Sequence, residues 1–338
     1  MTELKKILLT KMGKSKALEL NCEEVDLDNL AKMLGENELL IKVHFSGLNF
    51  ADVMMTKGLY PDAPKLPFTP GYEVCGEVMA IGSNCPHDYK VGQAVIAGTA
   101  FGGYTNYLKV SAGFTMPLPE NLSYEEGASL LVSGVTAVSA LEHLARVRRD
   151  DQVLIDCASG SLGLLCIQYL QSIGCSKVIG LTSRKEKFKL LEDRGFEAMT
   201  HDQWQVSSKK VDIIINSRGG DTLKRDLNHL NPCGKVVALG ASVMVSKGFF
   251  SIYKVMYHFL KMNWVSSIKL MNNNQGLMGL NVLNLLGDKK SVAISLELLK
   301  SIPFKPRVSK VFLAEDVTMA LDFLESGKSD GKVLLKWI

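Results

Sequence analysis

The sequence predicts an α/β protein of two domains, a β-rich one and a doubly wound parallel sheet. Three observations carry this. The chain has 338 residues, about twice the roughly 150 of a typical domain. Up to about residue 125, short alternating runs are separated by Gly, Pro and Asn. Beyond it, apolar runs alternate with segments of helical period, the pattern of a parallel sheet with helices on both faces.

Each element follows in order. Leu39–Phe45, Glu73–Ile81, Gln93–Ala97 and Thr105–Val110 read as strands joined by tight turns. In the second part, Gln152–Asp156 is a short apolar strand, Leu162–Ile173 has helical period, and Val178–Leu181 is a strand. Lys185–Arg194 reads as helix, and Val211–Ile215 and Lys235–Leu239 as buried strands. In Ser246–Trp264, Phe249, Ile252, Tyr253, Met256, Phe259 and Leu260 share one helical face. Lys247, Lys254, Lys261 and His258 lie opposite. The first expectation for this basic amphipathic helix is packing on the sheet or covering a cleft. The second is weak contact with anionic membranes. After residue 284 the pattern gives a helix (Ser291–Lys300), an extended piece (Arg307–Leu313), a helix (Val317–Glu325) and a last strand (Lys332–Trp337).

Composition narrows the function. Hydrophobic residues at 46% and charged residues at 22% exclude a disordered or collagen-like chain. A net charge of +4 without a Lys/Arg run disfavours nucleic acid and suits an anionic ligand. No segment reaches the ~18 apolar residues of a membrane span. The N-terminus MTELKKILLTKMGKSK lacks a signal-peptide core, so the expected location is the cytosol. Seven cysteines without a C-x-x-C read as reduced thiols. The histidines show neither H-x-x-x-H nor a Cys/His pair at ligand spacing, so no catalytic zinc is expected. There is no G-x-S-x-G elbow for a Ser-His-Asp site.

The strongest motif is VLIDCASGSLG at 153–163. A strand runs into Ala158-Ser159-Gly160-Ser161-Leu162-Gly163, and a helix follows. Small residues let the backbone approach a pyrophosphate, and the helix N-terminus offers free N–H groups. A dinucleotide fingerprint is favoured here over a purely structural turn. An NAD site would carry Asp or Glu at the tip of the second strand. Here that strand ends in Thr182-Ser183-Arg184-Lys185-Glu186-Lys187. A hydroxyl and several cations suit a 2′-phosphate, hence NADP(H). The alternative is a solvated helix start.

Several segments resemble the zinc-free medium-chain dehydrogenases/reductases. They are Gly47-Leu48-Asn49-Phe50-Ala51-Asp52, Gly58-Leu59-Tyr60-Pro61, Pro70-Gly71-Tyr72-Glu73, Gly102-Gly103-Tyr104, the A-S-G-S-L-G turn and Gly331-Lys332-Val333. Within that superfamily the chain is similar to the quinone oxidoreductase branch. GLNFADVM, KLPFTPGYE, ASLLVSGVTAV and GKVVALGASVM are similar to its VAT-1 and VAT-1-like group. The resemblance implies a GroES-like β-barrel domain over 1–125, completed by 284–338, and a Rossmann domain over 126–283, with NADP(H) in the cleft between them. It places Asn49 and Tyr72 where the zinc branch has its Cys and His ligands, in agreement with a metal-free site.

The resemblance also implies roles. Asn49 would donate to a developing enolate oxygen, or else serve as a turn residue. Met54 stands where many quinone oxidoreductases have Tyr, which leaves Tyr60 as the nearby phenol. Asp52 would be structural. Thr136, Asn216, Gly240 and Ala241 would line the nicotinamide, with Ser183 and Lys187 at the 2′-phosphate. Asp202 stands where the family often has Tyr near the adenosine, and its charge opposes a 2′-phosphate. Ala241 replaces a Lys proposed as catalytic in related enoyl reductase domains. The expected function is hydride transfer from NADPH to a quinone or an α,β-unsaturated carbonyl. The alternative is a nucleotide-binding, membrane-associated protein with little turnover. Leu277–Val282 is placed by the resemblance as an edge strand, whose exposed backbone predicts a homodimer.

Overall fold

The protein is described from a computed structural model over residues 1–13, 17–60, 62–85, 88–240, 242, 265–285 and 289–337. The expected helix at Ser246–Trp264 and the expected contact Ala241 lie outside the described residues. In chain order the strands are β1 (Thr2–Leu9), β2 (Leu18–Val25), β3 (Glu38–Leu48), β4 (Glu73–Ile81), β5 (Ala94–Gly98), β6 (Tyr107–Ser111), β7 (Thr115–Pro117) and β8 (Val153–Ile155). They continue as β9 (Val178–Leu181), β10 (Glu197–Met199), β11 (Val211–Asn216), β12 (Leu230–Ala238), β13 (Gly276–Gly279), β14 (Val308–Leu313) and β15 (Lys332–Lys336).

The chain forms two compact units, Met1–Val132 with 305–338, and Ser133–Phe304. The sequence places these boundaries at 125/126 and 283/284. The helix Lys289–Ser301 groups with the second unit, where its fully buried Ser295 meets the Ser139 hydroxyl at 3.2 Å and His143 Nε2 at 3.3 Å.

The first unit is a sheet in the order β14-β15-β3-β4-β5-β7, with β6 also paired to β3. Leu39, Ile41 and Val43 alternate along β3 and join Val74, Val78, Val95 and Ala97 in one core. The antiparallel β1–β2 pair was not read from the sequence, because charged residues dominate it. Its inward Ile7 and Leu9 are fully buried, and backbone bonds from these two residues to Tyr104 and Phe68 fasten it to the barrel.

The second unit is an all-parallel sheet in the order β10-β9-β8-β11-β12-β13. The order reverses between β8 and β11, and ligands of such sheets bind beyond the carboxyl ends of the strands at that switch. β13 is the edge strand, four residues at Gly276–Gly279. β12 starts before the expected Lys235, but Asn231–Gly234 loop out of register, so Lys235–Ala238 carry the regular pairing with β11.

The C-terminal return is held by a buried ion pair. Lys332 opens β15 and Glu73 opens β4, with exposures of 2% and 0%. Lys332 Nζ meets Glu73 Oε1, and Glu73 Oε2 accepts from Val132 N at 2.9 Å. Removing one partner strands the other charge. Lys332→Met is therefore expected to cost about 3–5 kcal/mol. Adding Glu73→Gln should restore part of that loss, as read from urea melts of the two variants.

Candidate functional site

The fingerprint turn is built by close packing. β8 ends at Ile155, and the chain turns through Asp156, Cys157 at φ 55° and Ala158 into the helix Ser161–Ser172. A Cβ on Gly163 would lie 2.5 Å from Ala158 Cα, so only Gly lets helix and turn approach this closely. A Cβ on Gly160 would meet nothing nearer than Cys157 O at 3.3 Å. That contact is tighter than usual, but it involves one atom and not the packed backbone that faces Gly163, and Gly160 N donates to the same carbonyl at 2.9 Å. The buried Ser159 and Thr182 hydroxyls lie 3.3 Å apart and tie the turn to the tip of β9. Ser161 Oγ donates to Ser133 Oγ at 3.0 Å. Leu162 is half-buried in the first helical turn, and Thr136 is half-buried in the helix Leu131–Val138.

The rim follows from the strand tips. Past β9, Ser183 is exposed, while Arg184 and Lys187 are half-buried and partnered. Asp202 is exposed in the helix His201–Val206. His201, beside it, turns inward instead, its Nδ1 3.5 Å from Asp156 Oδ1. Burial, then Asp226, pushes the Asp156 carboxyl up to about 6. Burial, then Arg218 and Arg225, pulls His201 down to about 3.

Asn216 needs a correction. Its side chain is fully buried and fully used. It donates to Thr222 Oγ1 at 2.9 Å and Asp226 Oδ2 at 2.6 Å, and accepts from Gly219 N at 2.7 Å. It shapes the turn after β11, which leaves only its backbone for a nicotinamide. Gly240 is exposed beside that turn; a Cβ there would lie 2.7 Å from Ser217 O.

In the first unit, Asn49 caps the helix Phe50–Thr56. Its Nδ2 donates to Glu73 Oε1 at 3.1 Å and to Gly47 O at 3.4 Å, and its Oδ1 accepts from Lys332 Nζ at 2.8 Å. The expected free donor to a substrate oxygen is therefore already engaged. The sequence singled out neither Glu73 nor Lys332 as site residues. The available signal was a lone charge opening each apolar strand, in Gly-Tyr-Glu-Val and Gly-Lys-Val-Leu. Asp52 is buried, accepts from Asn49 N at 2.7 Å, and is pushed up to about 6, chiefly by burial. Tyr72, at the second ligand position of the zinc branch, is buried with its hydroxyl 3.5 Å from Met55 Sδ. Burial, then Asp52, keeps its phenol well above the usual value, and Tyr60 interacts with it. Among the described residues, no group of three or more His, Cys, Asp or Glu could hold a metal ion.

Residues 35–120 match the alcohol dehydrogenase GroES-like domain, and 173–335 the zinc-binding dehydrogenase family. Quinone oxidoreductase-like protein 2 of Rattus norvegicus is 31% identical over 311 residues, covering 89% of this chain and 85% of that one. The synaptic vesicle membrane protein VAT-1 homolog of Danio rerio is 29% identical over 318 residues. This chain is covered to 89% but spans only 64% of that relative's length. The quinone oxidoreductase of Thermus thermophilus, solved alone and with NADPH, superposes with a TM-score of 0.80 at 27% identity, covering 98% and 100% of the two chains.

Two outcomes test this geometry. Gly163→Ala should lower the melting temperature clearly, because its Cβ meets backbone. Gly160→Ala should cost less than about 1 kcal/mol yet weaken dinucleotide binding. For Asp52, a folded value near 6 against 3.8 means that protonation favours the fold. Its contribution is full below about pH 3.8 and is lost as pH rises through about 6. Asp52→Asn should therefore gain stability relative to the parent between pH 4 and 7, as followed by thermal melts.

Proposed function

The chain belongs to the medium-chain dehydrogenase/reductase superfamily, and from that premise we propose that it is a zinc-independent, NADPH-dependent oxidoreductase acting on a quinone or an α,β-unsaturated carbonyl. The carrying observation is the turn at 156–163, which runs from β8 at the switch point of the parallel sheet into a helix N-terminus and where Gly163 cannot bear a Cβ against Ala158. The rat quinone oxidoreductase-like protein 2 and the Thermus quinone oxidoreductase, the latter solved with NADPH, support the same reading. When bound, reduced nicotinamide supplies a hydride. The chain's own residues bind and orient it. The backbone N–H groups of Ser161, Leu162 and Gly163, in the first turn of the helix, would face the pyrophosphate, while those of Ala158 and Gly160 are donated to Leu181 O and Cys157 O. Ser183, Arg184 and Lys187 would form the 2′-phosphate side and Thr136 and Gly240 the nicotinamide side, while the Thr182 hydroxyl, buried against Ser159, braces the turn from within.

On the acceptor side, hydride adds two electrons to a quinone or to the β-carbon of an enone, and negative charge develops on oxygen. Tyr60 and water are the proton sources. Tyr72, buried and held well above the ordinary phenol value, keeps its proton and is not a proton source. Asn49, gripped by Glu73 and Lys332, positions the loop rather than the oxygen. The reading includes a cytoplasmic homodimer paired through the β13 edge.

A second reading is favoured by the similarity to the Danio synaptic vesicle membrane protein VAT-1 homolog. It makes the chain a nucleotide binder with little turnover and weak membrane contact. No helix among the described residues is long and apolar enough to cross a membrane.

Fluorescence titration with NADPH and NADH, then NADPH oxidation over a panel of quinones and enones, separates the readings. The wild type should prefer NADPH. Lys187→Ala should weaken NADPH by about tenfold and NADH far less. Binding without turnover on any acceptor would favour the second reading.

A further inference from the structure

Arg218 stands at the switch point of the parallel sheet without a hydrogen bond or ion pair to any described residue. Ile215 of β11 lies opposite Ile155 of β8, and Asp156 N donates to Ile215 O at 2.9 Å. Three residues past Ile215 comes Arg218, and two past Ile155 comes Cys157, so the two lie side by side where the fingerprint turn begins. The Arg218 charge reaches Cys157, Asp156 and His201, and the Lys187 charge reaches Cys157 from the β9 side. Two cations from different strand tips thus converge on the mouth of the turn.

The partners of the other arginines make Arg218 distinct. Half-buried Arg225 is paired with Asp226, Arg194 donates to Leu190 O, and Arg184 has a partner. Arg146, Arg148 and Arg149 are exposed to water. Arg218 is half-buried, yet no hydrogen bond or ion pair joins it to any described residue. A guanidinium carries five donors and is costly to withdraw from water unpaired. The buried Asp156 Oδ2 nearby is also without a hydrogen bond, so the protein has not spent that carboxylate on Arg218.

We propose that Arg218 is a specificity-determining residue of the dinucleotide site, whose guanidinium grips the ribose 2′-phosphate from the β11 side, opposite Lys187. This rests on the NADPH reading above. A planar fork suits a phosphate dianion because two N–H groups bind two oxygens at once, which a lysine cannot do. It also answers the carboxylate of Asp202: with Arg218 present, the 2′-phosphate meets cations on two sides.

The test is binding, independent of turnover. Wild type, Arg218→Gln and Arg218→Lys are titrated with NADPH, NADH, 2′,5′-ADP and 5′-AMP, with melting temperatures as a fold control. Arg218→Gln should weaken NADPH and 2′,5′-ADP by about tenfold or more, and NADH and 5′-AMP by no more than about threefold. Arg218→Lys should fall between, because charge survives and the fork does not. If Arg218→Gln binds NADPH as the wild type does, Arg218 has no such role and the oxidoreductase reading stands. Equal loss of NADPH and NADH would overturn the 2′-phosphate assignment. A wild type that binds neither dinucleotide overturns both. Should Arg218→Gln melt well below the wild type, Arg218→Lys alone decides: unchanged NADPH and 2′,5′-ADP affinity would refute the fork.

Discussion

The Glu73–Lys332 pair is the contact on which the first unit depends. It brings the last strand against the middle of a sheet begun by the first hundred residues, and it does so with two charges out of water. Such a pair adds little net stability but tolerates no vacancy. Its remaining hydrogen-bonding capacity must be met, and Asn49 and the Val132 amide meet it. The site inherits this constraint. A carboxamide that satisfies both members of a buried ion pair is fixed in place and cannot also solvate a transition-state oxygen. In the same unit the phenols of Tyr60 and the buried Tyr72 interact beside a carboxyl, Asp52, that burial makes easy to protonate.

The second unit answers a different constraint, the closeness of backbone to backbone. Gly163 lets the helix start press onto Ala158, while Ser159 and Thr182 close the gap between neighbouring strand tips with hydroxyls too short to reach solvent. A rigid turn that ends in a helix N-terminus is what an anion site needs, because the donors of the first helical turn are oriented before the ligand arrives.

Much of this was legible in the chain. The period-two runs of β3 and β4 and the short apolar runs of β8, β9 and β11 announced both sheets, because their burial is one-sided or complete. The hairpin β1–β2 was not, since its outward charges mask the inward Ile7 and Leu9. The fingerprint was visible as spacing. The fate of its neighbours was not: Asn216, Thr182 and Asn49 are polar residues at strand ends, where pattern cannot tell a side chain that faces a ligand from one that braces a turn. That distinction depends on partners far along the chain, Asp226, Ser159 and Lys332 among them. Arg218 was passed over for the opposite reason. A single Arg in a Ser-Arg-Gly-Gly loop reads as solvated surface until its half-burial, and its lack of a partner among the described residues, are seen.

The charges at this end of the sheet form an unequal account. Asp226 is matched by Arg225, and His201 is held neutral by burial and by two arginines, so neither changes the local field near neutral pH. Asp156 and Arg218 remain. Above about pH 6 the Asp156 carboxylate offsets the cation; below it, protonated, Asp156 leaves Arg218 unopposed. Attraction for an anion at this rim therefore strengthens as pH falls through that value. A phosphate monoester takes up its own second proton near the same pH, about 6, and loses charge as the rim gains it. The two titrations act against each other, so a dianionic phosphate bound where both groups are ionised would owe its attraction to the two cations proposed to flank it, Lys187 and Arg218.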